Sequence, residues 1–212
     1  MEQIKYKYPR TYHVPWSLGI TSDDKIISSM NTFKNKQVVV TEKLDGENTS
    51  LYQNFSHARS LNSKSHKSRN WLKQYHSTFQ NDIPKDMRIC GENVFAKHSI
   101  YYKNLSTYFY VFSIWINKIC LSWNETLEWC NLLNLQTVSV LYSGLYDEVI
   151  VKSLYKPVKE NQDEMEGYVI RNVDSFEYSN FSNNVVKFVR KNHIQSNKHW
   201  MLEEIIQNKI VK

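Results

Sequence analysis

The residues best placed to do chemistry begin with Lys43, in the run Thr41-Glu42-Lys43-Leu44-Asp45-Gly46-Glu47-Asn48, where a β-branched strand gives way to a Lys-x-Asp-Gly turn. A lysine attacks a phosphorus or carbonyl centre only as the free amine, so near neutral pH its pKa must fall from about 10.4 toward roughly 7–8. At about 1.36 kcal/mol per unit, that is roughly 4 kcal/mol against the ammonium form. Burial or a neighbouring cation can supply the shift, while Glu42, Asp45 and Glu47 oppose it if they face the amine. Asp-Gly is equally a preferred hairpin loop beside a solvated lysine, so chemistry here requires other basic residues to converge on the turn.

Two acid-free stretches offer such residues. Residues 57–73 (HARSLNSKSHKSRNWLK) hold five Lys/Arg, and residues 187–198 (KFVRKNHIQSNK) hold four. One such stretch is ordinary as a solvated face, but two flanking a candidate nucleophile point to phosphate binding. The net charge of +6 also favours an anionic partner, most simply nucleic acid.

The elements that must position these groups follow from periodicity. Residues 37–42 (QVVVTE) and 48–55 (NTSLYQNF) read as two strands joined by the 43–47 turn. Trp71, Leu72, Tyr75 and Phe79 recur at three- and four-residue steps, one face of a helix over 70–79. Strands are expected at 86–94 and 108–115, the latter turning through Asn117-Lys118 into 119–121. Ser122 with Glu125 makes a capping box, opening a helix with Leu127, Cys130 and Leu133 inward. A strand at 137–141, a short helix at 147–154, strands at 166–171 and 185–190, and a closing helix at 196–209 with Met201, Leu202, Ile205 and Ile206 on one side complete the pattern. Strands and helices alternate without a βαβ rhythm, which predicts an α+β fold of mostly antiparallel sheets flanked by helices.

The 212 residues contain four prolines and five glycines, with no linker or repeat, so one domain spanning 1–212 is expected. Cys90, Cys120 and Cys130 form no C-x-x-C pair and sit among apolar neighbours, as reduced buried thiols do in a cytoplasmic protein. The seven histidines show no zinc-ligand spacing, and His13 and His98 receive no role. No signal peptide or membrane span is indicated.

Further along the chain, Gly91-Glu92 ends a strand, Phe112 lies in an apolar strand, Glu166-Gly167-Tyr-Val-Ile-Arg begins another, and Lys187-Phe-Val-Arg190-Lys-Asn follows. With Lys43-x-Asp45-Gly46 in front, this ordered series resembles the covalent nucleotidyltransferases, the superfamily of ATP-dependent ligases and mRNA capping enzymes. Asn48, five residues after the lysine, and Ala58-Arg59-Ser60 resemble the RNA ligases in particular. The strings Lys7-Tyr8-Pro9-Arg10-Thr11, His13-x-Pro15-x-Ser17 and Asn70-Trp71 are similar to a compact branch of that family, so the likeness covers nearly the whole chain.

The resemblance implies a nucleotidyltransferase (adenylation) domain acting as an ATP-dependent RNA ligase with Mg²⁺ or Mn²⁺. Lys43 would attack the α-phosphate of ATP and carry AMP to an RNA 5′-phosphate, which a 3′-hydroxyl then attacks. Lys187 with Arg190 would bind the phosphate and repel the Lys43 ammonium. Glu92 would accept from a ribose hydroxyl, Glu166 would contact the amine or order a hydrated metal, and Phe112 would stack on adenine. Glu42 would pair with the adenine amino group, Arg59 would read the sugar or RNA end, and Asn48 would position an oxygen in the later steps. Lys64, Lys67, Arg69 and Lys97 would line the RNA path.

Two departures are visible. Many members carry Lys-x-Lys in the last motif, whereas here the second cation is Arg190 or absent. DNA ligases and capping enzymes add a C-terminal OB-type domain, and about twenty residues follow Asn192 here, so none is expected. A DNA ligase or guanylyltransferase of the same superfamily, and a non-catalytic RNA-binding module retaining the fold, are the competing readings. A monomer acting on RNA ends, with a separate RNA-binding or repair protein as a candidate partner, completes the expectation.

Overall fold

A computed structural model describes residues 4–63, 65–156, 164–191 and 204–211. Two sheets face one another. The first has the order β1 (Tyr12–His13), β12 (Val185–Val189), β10 (Gly167–Asn172), β2 (Gln37–Lys43), β9 (Val140–Leu145). The second runs β11 (Phe176–Glu177), β7 (Ile119–Cys120), β6 (Phe109–Ile116), β5 (Met87–Asn93), β3 (Glu47–Leu51), β4 (Ser56–Ala58), with β8 (Gln136–Thr137) also on β6. All pairings are antiparallel except β1 with β12 and β6 with β8.

The valine run of β2 explains its central place. Val38, Val39 and Val40 are all fully buried, as an apolar run covered on both faces must be. Val38 and Val40 pack outward with Phe33, Tyr168, Phe188 and Val151 of α3 (Glu148–Ser153). Val39 packs inward with Leu44, Val94 and Tyr108 of the facing region. On the far side of the second sheet, Leu72 of α1 (Asn70–Ser77) and Cys130 of α2 (Trp123–Leu132) cover Ile89, Val111 and Ile114. The layers are therefore helix, sheet, sheet, helix. No helix among the described residues is long and apolar enough to cross a membrane.

Several expectations change. The 43–47 turn is no hairpin: β2 and β3 belong to different sheets, and the turn carries the chain between them. The 48–55 strand ends at Leu51, and 137–141 is divided between β8 and β9. The capping box on α2 forms as read, with Ser122 Oγ accepting from Glu125 N and Glu125 bonding back to Ser122 N. The buried face of that helix is Trp123, Thr126 and Cys130, and Leu127 is exposed, because the position of β6 decides which face is covered. Of the expected closing helix, 196–203, with Met201 and Leu202, lies outside the described residues. Residues 204–211 run extended, with Ile206 exposed and the backbone bonded to Phe95, Lys97, Tyr102 and Leu105. Buried Asn208 anchors them, its side chain donating to Val94 O at 2.8 Å and accepting from Tyr102 N at 2.9 Å. A helical period of apolar residues cannot hold where neighbouring loops have claimed the backbone groups.

Candidate active site

Between the two sheets lies a cavity of about 270 Å³ lined by Glu42, Lys43, Asn48, Arg59, Glu92, Phe112 and Lys187. Seven separate sequence expectations thus meet at one place. Strand pairing explains much of it. Lys187, Val169 and Thr41 lie in one row across β12, β10 and β2, and alternation puts Lys43 on the same inward face as Thr41. From the opposite sheet, Asn48 of β3 pairs directly with Glu92 of β5. The register of β5 with β6 shifts at Cys90/Gly91 and leaves Phe112 as the extra residue, so the consecutive Phe112 and Ser113 both reach the cavity.

The Lys-x-Asp-Gly turn is tied down through Asp45 and Gly46. Asp45 Oδ2 accepts from Ser99 N and Ile100 N, both at 2.7 Å, and Asp45 N donates to Tyr102 Oη at 2.8 Å. Gly46 N donates to Glu92 Oε1 at 3.2 Å, and a Cβ at Gly46 would stand 2.6 Å from Asn93 O, so only glycine permits this approach. Asp45 is thereby a structural tether. Gly167, paired with Lys43, likewise lets β10 and β12 approach, since a Cβ there would meet Phe188 O at 2.0 Å. Its neighbour Glu166 is set beside the lysine.

Lys43 Nζ donates to Glu166 Oε2 at 2.6 Å, with the glutamate side chain 5% exposed. Burial alone would lower the amine, but Glu166, Glu92 and Asp45 outweigh it and hold Lys43 above its ordinary value. The expected repulsion between Lys187 and Lys43 is therefore present but outweighed by the acids. Lys187 Nζ instead stands 3.5 Å from Asp24 Oδ1 and is itself lowered by burial, with Lys43 adding to the effect. Glu92 is pushed up to about 8, chiefly by burial, with Glu166 and Asp45 adding repulsion that Lys43 partly offsets.

Arg190 does not stand beside Lys187. On a strand, residues three apart point to opposite faces, and Arg190 pairs with Glu164 Oε2 at 2.8 Å instead of lining the cavity. Arg69 is also committed elsewhere: its Nε and Nη2 donate to Glu47 Oε2 and Oε1 at 2.6 and 2.5 Å, a bidentate pair with both side chains 11% exposed. Lys67 is exposed and Lys97 half-buried, neither on the cavity, and Lys64 lies outside the described residues. Sequence reasoning assigned no site role to Tyr8, Arg10, Asp24, Val138 or Val169, all of which line the cavity. Tyr8 and Arg10 belong to the Lys7–Thr11 string that was similar to the compact ligases; Asp24 carried no signal.

The sequence profile of the RNA ligase family matches residues 36–189, which span Lys43, Glu92, Phe112, Glu166 and Lys187. The chain belongs to the RNA ligase family. Solved structures of RNA ligases share its fold: a Naegleria gruberi RNA ligase mutant in its apo form (TM-score 0.54, 16% identity, 88% of this chain and 62% of that one) and an archaeal ATP-dependent RNA ligase (TM-score 0.56, 14% identity, 86% and 48%). A second mutant of the Naegleria gruberi RNA ligase, with ATP and Mn, is similar at a TM-score of 0.52, 16% identity, 88% and 60%. This RNA ligase family member therefore spans about half to three-fifths of the length of those proteins. No curated protein sequence matches it significantly. The family and the α+β nucleotidyltransferase fold agree with what the motif order implied.

A divalent ion also suits this ligase-family site. Among the described residues no three His, Cys, Asp or Glu side chains are arranged to hold one directly. A hydrated Mg²⁺ needs only one or two carboxylates. Three acids, Glu166, Glu92 and Asp45, surround the Lys43 ammonium, an acidic setting that suits such an ion.

Proposed function

We propose that this chain is the nucleotidyltransferase domain of an ATP-dependent RNA ligase. The carrying observation is Lys43, hydrogen-bonded to buried Glu166, on the wall of a cavity that also presents Lys187, Glu92, Asn48 and Phe112. Phe112, braced edge-on by Tyr8 at 5.2 Å, offers with Val138 and Val169 apolar walls for a base. Glu92 accepts from a ribose hydroxyl. Glu42, on the cavity wall, accepts from the adenine amino group through its carboxylate or its backbone carbonyl.

Before attack the Nζ proton must leave Lys43, and Glu166 Oε2, 2.6 Å away and raised by burial, is the acceptor. Glu166 would hold a hydrated Mg²⁺ or Mn²⁺ through the ion's waters, and the ion would supply positive charge that favours the free amine. Nζ then forms a bond to the α-phosphorus of ATP while the bond to the bridging oxygen breaks and pyrophosphate leaves. Lys187 balances charge on the phosphoryl oxygens. An RNA 5′-phosphate oxygen next displaces Nζ from AMP, and a 3′-hydroxyl displaces AMP to close the phosphodiester. Asn48 Oδ1, buried and without a hydrogen-bond partner, suits the hydroxyl of an RNA end. Arg59, held by its backbone bond to Asn48 O at 2.9 Å, reaches that end from the rim, and Lys67 and Lys97 supply phosphate contacts further out.

The test is incubation with α-labelled ATP or GTP and Mg²⁺, followed by denaturing electrophoresis. An acid-labile adduct from ATP, absent in Lys43→Ala, is expected. No adduct on the wild type, or an adduct surviving in Lys43→Ala, refutes the assignment, and labelling by GTP alone moves it to guanylyl transfer.

A further inference from the structure

Opposite Lys187 stands a group that the reaction described above does not use. Asp24 is fixed by Thr21, whose N and Oγ1 donate to Asp24 Oδ2 at 3.1 and 2.9 Å, while Asp24 N donates back to Thr21 O at 3.1 Å. With Oδ2 engaged, Oδ1 is presented to two partners: Lys187 Nζ at 3.5 Å and His13 Nε2 at 3.2 Å.

His13 is fully buried, and its place is set from three directions. It pairs with Lys187 across β1 and β12, its backbone N donates to Lys25 O, and its O accepts from Ile27 N. Its Nδ1 lies 2.7 Å from Ser17 Oγ, which also accepts from Val189 N at 2.9 Å. His13 Nε2 thus stands beside Oδ1, while Thr21 fixes the carboxylate through Oδ2 and leaves Oδ1 toward the Lys187 side chain. Burial keeps the histidine neutral, lowering it to about 4, and Asp24 stays ionised, lowered to about 2 despite its burial, through its Thr21 bonds and Lys187.

We propose that Asp24 is a positioning residue for Lys187, holding its ammonium at the cavity wall in the place from which it meets the α-phosphate. This rests on the nucleotidyl-transfer reading of the site. A lysine side chain is a flexible four-carbon stem, and a fixed carboxylate limits its rotamers before the nucleotide arrives. The charged groups facing Lys187 are Asp24, Lys43 and Glu166, with neutral His13 behind Asp24. Asp24 is the one that sits within contact distance while leaving the Lys43–Glu166 pair intact.

Charge alone and positioning predict opposite results for Asp24→Asn. Removing an acid from a cavity that takes an anion should tighten ATP and leave the rate unharmed if charge were all. Positioning instead requires the maximum rate of adduct formation, measured in a single turnover with α-labelled ATP, to fall about ten- to a hundredfold, the cost of a misplaced group. The ATP concentration for half-maximal rate should stay level or fall. Asp24→Glu, which keeps the charge, should recover most of the rate. Thr21→Ala, which frees one anchor and leaves the charge, should show the same signature at smaller size in a protein that melts normally. A wild-type maximum rate in Asp24→Asn, a loss confined to ATP affinity, or Asp24→Glu no better than Asp24→Asn overturns the role of Asp24 while the site reading stands. No label on the wild type overturns both.

Discussion

Replacing Arg69 separates a structural from an RNA-binding role for a residue in the most basic stretch of the chain. Arg69 Nε and Nη2 bond Glu47 Oε2 and Oε1 at 2.6 and 2.5 Å, and each side chain is 11% exposed. Glu47 opens β3 directly after the Lys-x-Asp-Gly turn, so the pair clasps the entry to the second sheet. Removing one partner of a buried pair leaves the other charge uncompensated, at a cost of about 3–5 kcal/mol. The residual exposure puts Arg69→Ala at the lower end, about 3 kcal/mol. For a domain of this size each kcal/mol moves the melting midpoint by about 2–4 °C, so a drop of roughly 6–12 °C is expected by calorimetry. Arg69→Met combined with Glu47→Gln removes both charges and should recover most of the loss. RNA affinity measured across a salt series should keep its slope, whereas loss of one single-strand phosphate contact would flatten it by about 0.7. A midpoint within about 2 °C of wild type together with a flattened slope would refute the structural assignment.

Two further predictions concern the cavity. Glu92 has a folded value near 8, above its unfolded value, so the folded state keeps a proton that the unfolded chain has lost. Stability should therefore decline as pH rises from about 5 to 8, and Glu92→Gln should melt higher than wild type at pH 8 but match it near pH 4; equal midpoints at pH 8 would contradict the burial argument. Lys187→Ala should lose the labelled adduct, whereas Arg190→Ala, which breaks the pair with Glu164 on the other face, should keep the adduct and melt lower; loss of label in Arg190→Ala would place a second cation in the site.

What was legible in the chain was local. The β-branched runs marked β2 and β12, the three- and four-residue spacing marked α1, and Ser122 with Glu125 marked the start of α2, because each depends on contacts within a few residues. Period-two alternation carries a further signal: Lys187 on β12 and Arg190 just past its end are three residues apart and so point to opposite faces. Over 204–209 the expected closing helix gives way to extended chain for the opposite reason, since Asn208 and the backbone beside it are claimed by residues about a hundred positions earlier.

The sequence by itself determined the order of the reactive groups, the family to which the chain belongs and the strands on or beside which Lys43, Glu92, Glu166 and Lys187 lie. Only the tertiary structure decided what each of them faces. The turn after Lys43 crosses between sheets, Arg69 turns to Glu47, and Lys43 stands among three acids while Lys187 leans on Asp24. Charge on a buried amine depends on distances of a few ångströms between segments remote in sequence, and those distances exist only once the two sheets have closed over the cavity.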